Sequence, residues 1–118
     1  MKKLLLLAPL LVAACASIDM AGYYEGIQAA ASGEPERIVG VNLRPDGTAI
    51  VTSAFSGRPS RFLVRGRWDN DGDLVTIELP TAPIERIVFQ LEKDRLVGKT
   101  WEPSTWGAAG PGTLQLQK

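Results

Sequence analysis

The stretch Arg61-Phe62-Leu63-Val64-Arg65-Gly66-Arg67-Trp68, the turn Asp69-Asn70-Asp71-Gly72-Asp73 and the run Leu74-Val75-Thr76-Ile77-Glu78-Leu79 decide the fold. Phe62, Val64, Gly66 and Trp68 fall on one face; Arg61, Arg65 and Arg67 fall on the other. Val75, Ile77 and Leu79 repeat the two-residue period after the turn. Side chains alternate across a strand, so this is a half-buried β-hairpin. Asp and Gly tolerate the backbone angles such turns require.

The same grammar extends in both directions. Upstream, residues 37–44 alternate through Val39, Val41 and Leu43. Pro45-Asp46-Gly47 turns the chain, and residues 48–55 return with Ala49, Val51 and Phe55 inward. An earlier run covers residues 22–29. Residues 29–35, with Gly33 and Pro35, form a loop. Downstream, residues 84–92 and 95–101 read as a hairpin over Lys93-Asp94. A Gly- and Pro-rich loop covers residues 102–112, and residues 113–117 form a last strand. We expect an all-β domain over residues 21–118. Its architecture is a small up-and-down antiparallel barrel of about eight strands, calycin- or lipocalin-like. Closing the sheet covers one-sided strands and removes exposed edges. A two-sheet sandwich is the alternative. The expected interior comprises Val39, Val41, Leu43, Val51, Phe62, Val64, Trp68, Val75, Ile77, Phe89 and Leu91.

The first fifteen residues have a different logic. Lys2 and Lys3 precede an apolar run over residues 4–12, then Ala13, Ala14 and Cys15. This is a secretory leader, too short for a membrane-spanning helix of about 20 residues. Val12-Ala13-Ala14-Cys15 resembles the bacterial lipobox. The resemblance implies cleavage after Ala14, so that residues 1–14 are a lipoprotein signal peptide. It also implies a lipid on Cys15 and a tether over residues 15–20. Ala16, in place of an Asp, implies sorting to the outer membrane, on its periplasmic face. Cys15 is the only cysteine, so it has no intramolecular disulfide partner.

Composition removes several classes of function. The chain of 118 residues has no histidine, hence neither the commonest general base nor the commonest metal ligand. Its formal charge is zero, and loss of Lys2 and Lys3 leaves about −2, unlike a nucleic-acid binder. Asp69-Asn70-Asp71-Gly72-Asp73 fails as an EF-hand loop, because the sixth and twelfth positions are Leu74 and Pro80. The carboxylates are scattered over expected outer faces with no acid–base pair spacing. We expect no enzyme and no cofactor.

Two candidate binding features remain. Arg37, Arg44, Arg58, Arg61, Arg65 and Arg67 crowd a stretch whose only acid is Asp46. Arg61, Arg65 and Arg67 share an outer face suited to phosphate or carboxylate recognition. The plain reading is a solvated exterior with arginines paired to Glu78, Glu85 and Glu92. Trp106 lies on the long loop, which we expect to be mobile and to cross one barrel opening. Either its ring caps the mouth or it is exposed for a partner, and the small residues 107–112 favour exposure.

Gly22-Tyr23-Tyr24-Glu25-Gly26, then Leu43-Arg44-Pro45-Asp46-Gly47-Thr48-Ala49, then Gly66-Arg67-Trp68, resemble the N-terminal barrel domain of NlpE-type envelope lipoproteins. The family's Cys-x-x-Cys is absent; Gln28-Ala29-Ala30-Ala31-Ser32 stands there, so copper and thiol chemistry do not carry over. The resemblance implies the barrel fold; with no catalytic constellation in the chain, we expect a non-enzymatic, lipid-anchored envelope binding module. Its partner would be an envelope protein, lipopolysaccharide, peptidoglycan or a small apolar ligand. A structural, stress-sensing or lysozyme-inhibitor-like lipoprotein is the alternative.

Overall fold

The computed structural model describes residues 18–28, 35–57, 61–102, 106 and 110–118; Cys15, Arg58 and the side chain of Arg61 lie outside that description. The described strands are β1 (Gly22–Gln28), β2 (Arg37–Leu43), β3 (Thr48–Phe55), β4 (Arg61–Asp71), β5 (Leu74–Leu79), β6 (Glu85–Glu92), β7 (Arg95–Thr100) and β8 (Thr113–Leu116). Each pairs antiparallel with the next, and β8 pairs with β1 to close a barrel. The closing seam is short, joining Tyr24 to Leu116 and Glu25 to Gln115. Gln117 N–H extends it by donating to the Tyr23 carbonyl at 2.8 Å.

The two-residue period dictates the filling. Val39, Val41, Leu43, Ala49, Val51, Val75, Ile77, Leu79, Ile87, Phe89, Leu96 and Leu114 all point inward with no exposed surface. Water reaches none of them, so this length of the lumen is filled by its own side chains. Val64 and Leu91 are half-buried against the same cluster. Phe62 departs from expectation. It shares the inward parity of Val64 and Trp68, yet it is 40 % exposed. It sits one residue into β4, opposite Ser53 near the end of β3, where the barrel opens.

Barrel closure needs sharp bends, and two glycines permit them. A Cβ on Gly66 would lie 2.1 Å from the Glu78 carbonyl oxygen, and one on Gly26 would lie 2.2 Å from that of Thr113. At both points the next strand's backbone occupies the space a side chain would need.

Hairpins lock the end opposite Phe62. In the β2–β3 turn, Thr48 N–H donates to Asp46 Oδ1 at 2.9 Å. That hydrogen bond holds the Asp46 carboxyl below its usual range. Its stabilisation is present above the ordinary carboxylate range and fades as the pH falls through the lowered value. Trp68 reaches across from β4. Its backbone N–H donates to Gly47 O at 2.9 Å and its Nε1 donates to Arg44 O at 2.8 Å.

This end is also plugged. Ile18–Met20, within the expected tether, form a 3-10 turn, and Met20 is buried in the core cluster. Tyr24, itself buried, donates its hydroxyl to Met20 O at 2.9 Å. Tyr24→Phe should therefore cost about 1 kcal/mol in urea denaturation. Burial, and then the charge of Asp94, push the Tyr24 hydroxyl above its ordinary value. The stability tied to its proton should be lost as the pH rises through that raised value, and Tyr24→Phe should remove this alkaline loss.

Candidate functional site at the barrel mouth

The opposite end carries the polar interior. β1 and β3 finish there and β2, β4 and β6 start there, so Gln28, Arg37, Phe55, Phe62 and Glu85 lie around one opening. Gln28, Arg37 and Phe55 are successive members of one cross-strand row. Arg37 is on the same face as Val39 and Val41, so its stem points inward rather than joining the outer arginines. Glu85 likewise shares the face of Ile87 and Phe89 and is buried. The expectation that Glu85 lies on the solvated exterior is thus corrected.

Trp106, between β7 and β8, lies at this mouth. Trp106 N–H donates to Glu102 O at 3.1 Å, one helical turn back. Trp106 O accepts from Gln28 Nε2 at 3.4 Å, bridging residues 78 apart in sequence. The Arg37 guanidinium carbon lies 4.9 Å from the centre of the Phe55 ring and 5.4 Å from that of Trp106. Both are within the range at which a cation is held by the negative face of an aromatic ring. Trp106 is only 3 % exposed, which overturns the expectation of an exposed ring. The expectation looked only to residues 107–112 for packing partners, whereas the ring finds Arg37 and the barrel interior. Trp101 ties the segment down a second time, its ring lying against Gly110 where a Cβ would come within 2.4 Å. Mobility of the rest of the loop was expected; residues 103–105 and 107–109 lie outside the described residues.

Among the described residues, the buried Trp106 Nε1 has no hydrogen-bond partner. A buried donor left unmade costs about 1–3 kcal/mol and calls for a reason.

The expected arginine surface lies elsewhere. β4 starts at Arg61 on the rim. Arg65, opposite Ile50, and Arg67, between Thr48 and Glu78, are exposed on the outer wall. Trp106 is inside, so the structure does not bring it together with Arg65 and Arg67. Glu78 pairs with Arg86 and Glu92 with Arg95. These are exposed pairs of small energetic weight.

The outer wall of β1–β4 carries an apolar patch missed in the sequence. Ile27 and Ile38 face each other across β1 and β2 and are 64 % and 40 % exposed. Leu63 on β4 is 59 % exposed. Ala54 lies beside Ile38, and Leu63 is opposite Thr52. Below this patch the Tyr23 ring lies over Gly40 and its hydroxyl donates to Glu25 Oε2 at 2.9 Å.

Among the described residues, no group of three or more His, Cys, Asp or Glu side chains could hold a metal. No family model matches the chain, no curated protein does, and no solved structure does.

Proposed function

We propose that this protein is a lipid-anchored lipoprotein of the bacterial outer membrane, a non-enzymatic module that binds an envelope component at the barrel mouth. Cys15 carries the lipid and residues 16–19 link it to the fold. The observation that supports this reading most is Met20 packed as the plug of one barrel end. Met20 lies five residue steps beyond Cys15, a reach of at most about 18 Å. The plugged end is therefore held near the membrane. The polar end, with Gln28, Arg37, Phe55, Glu85 and Trp106, can face into the periplasm.

The filled lumen bears on the ligand. A small apolar molecule has no room beside side chains that water cannot reach, so binding takes place at the rim. A second reading has its own support. The exposed Ile27, Ile38 and Leu63 patch suits a scaffold or stress sensor that meets another protein through its outer wall.

The anchor is tested by cell fractionation and intact-mass measurement. The native chain should sediment with membranes and start at an acylated Cys15, and Cys15→Ser should release it into the soluble fraction. A soluble wild-type protein with an unmodified thiol would end the proposal.

A further inference from the structure

We infer that the barrel rim takes up an extended peptide strand of a partner protein, added antiparallel along the free edge of β4 at residues 61–65. This rests on the reading of the mouth as the binding end and names the partner's chemistry. β4 outruns one of its neighbours. Its pairing with β3 runs from Arg61–Ala54 to Arg67–Thr48, whereas its pairing with β5 covers only Arg67–Glu78 to Asp71–Leu74. Antiparallel strands turn the N–H and C=O of alternate residues toward opposite neighbours. Trp68 N–H donates to Gly47 O on the β3 side, so the even-numbered residues of β4 bond to β3. The odd-numbered ones, Leu63 and Arg65 among them, face the β5 side. Continued register would set Arg65 opposite Pro80, which has no N–H to give. There the chain bonds to itself instead: Thr81 N–H donates to Leu79 O at 2.8 Å, and Thr81 Oγ1 donates to Pro83 O at 2.7 Å. Among the described residues, nothing takes up the outward N–H and C=O of Leu63 and Arg65. Backbone groups left open along a sheet edge are a template for another strand.

The flanking residues select the strand. Leu63 and Phe62 are both exposed. Arg65 is exposed and has no ion-pair partner among the described residues. On its outward face an incoming strand meets Leu63 flanked by Arg61 and Arg65 in sequence. On its inward face it meets Phe62 and Val64, at the mouth where Arg37 lies over Phe55 and Trp106. A strand with an apolar centre and an acid at each end of its outward face fits that pattern, because opposite charges across a ladder attract and like charges repel. A second copy of this chain fits badly: antiparallel self-pairing centred on Leu63 would set Arg61 opposite the partner's Arg65. The bonds themselves are made by main-chain groups, so a changed Leu63 side chain leaves them in place.

The test uses the full protein in detergent micelles and a fluorescently labelled, end-capped peptide, Thr-Glu-Val-Val-Ile-Glu-Thr. With its central valine opposite Leu63, its two acids fall opposite Arg65 and Arg61. Fluorescence anisotropy should show saturable binding, and the Leu63 and Arg65 amides should exchange with deuterated water more slowly in the complex. Methylating the nitrogen of the central valine removes a donor aimed at β4 and should weaken binding at least about tenfold. Replacing both acids by lysine should weaken it at least about threefold. Leu63→Pro removes an N–H that β3 does not use, at an edge position where proline is tolerated. The barrel should keep its circular dichroism, and peptide binding should fall at least about tenfold. If Leu63→Pro does not fold, the N-methylated peptide makes the same test on the unaltered barrel. No binding, equal binding of the N-methylated or the lysine peptide, or binding that survives Leu63→Pro would overturn the inference. Capture of an envelope component that is lost with Arg37→Gln but kept with a folded Leu63→Pro would also overturn it, yet would leave the binding-module reading standing.

Discussion

Trp68→Ala should lower the unfolding free energy by about 3–5 kcal/mol. The ring is 4 % exposed at the plugged end of the core, and the substitution leaves a large void in a filled barrel. It also removes the Nε1 donor to Arg44 O. The Trp68 backbone N–H to Gly47 O is kept, so the hairpin turn itself should persist. Trp68→Phe separates the two losses. It retains most of the volume and forfeits the hydrogen bond, for a cost of about 1 kcal/mol. Urea denaturation followed by far-ultraviolet circular dichroism measures both. A loss below about 1 kcal/mol for Trp68→Ala would mean that the ring is not packed as described.

Trp106→Ala should cost a similar amount, about 3–5 kcal/mol. Here the phenylalanine control has a different outcome. Trp106 Nε1 has no hydrogen-bond partner among the described residues, so Trp106→Phe should be close to neutral without ligand. The two tryptophans thus differ in the expected effect of the same conservative change. Acrylamide quenching gives a second readout: the buried ring should be protected in the wild type. Free quenching of Trp106, with stability unchanged in Trp106→Ala, would restore the exposed-loop expectation.

The strands were legible because their information is local. Val39-x-Val41-x-Leu43 and Val75-x-Ile77-x-Leu79 fix which face is inside, and Asp46-Gly47 and Gly72-Asp73 fix where the chain reverses. Eight strands and closure follow, because one-sided strands must cover their apolar face. The mouth was harder to read because its contacts are distant in sequence. Trp106 is buried against Arg37 and near Gln28, which no local window contains. Yet part of the signal was present. Arg37 and Glu85 stand two residues before Val39 and Ile87, on the inward side of the same alternation. A charged residue in phase with a core face is a candidate for the barrel end. Phe62 shows the converse, since parity gives the face but not the height along the axis. The outer Ile27–Ile38 pair depends on register, which the hydrophobic pattern of neither strand specifies by itself.

The central claim is that the mouth, rather than the outer wall, is the working end of an anchored barrel. The most direct measurement is capture from envelope extract by the lipidated wild type and two variants of proven fold. Arg37→Gln changes the mouth and Leu63→Lys changes the outer patch. Capture should be lost with Arg37→Gln and kept with Leu63→Lys. Loss with Leu63→Lys and retention with Arg37→Gln would contradict the claim and place recognition on the β1–β4 wall.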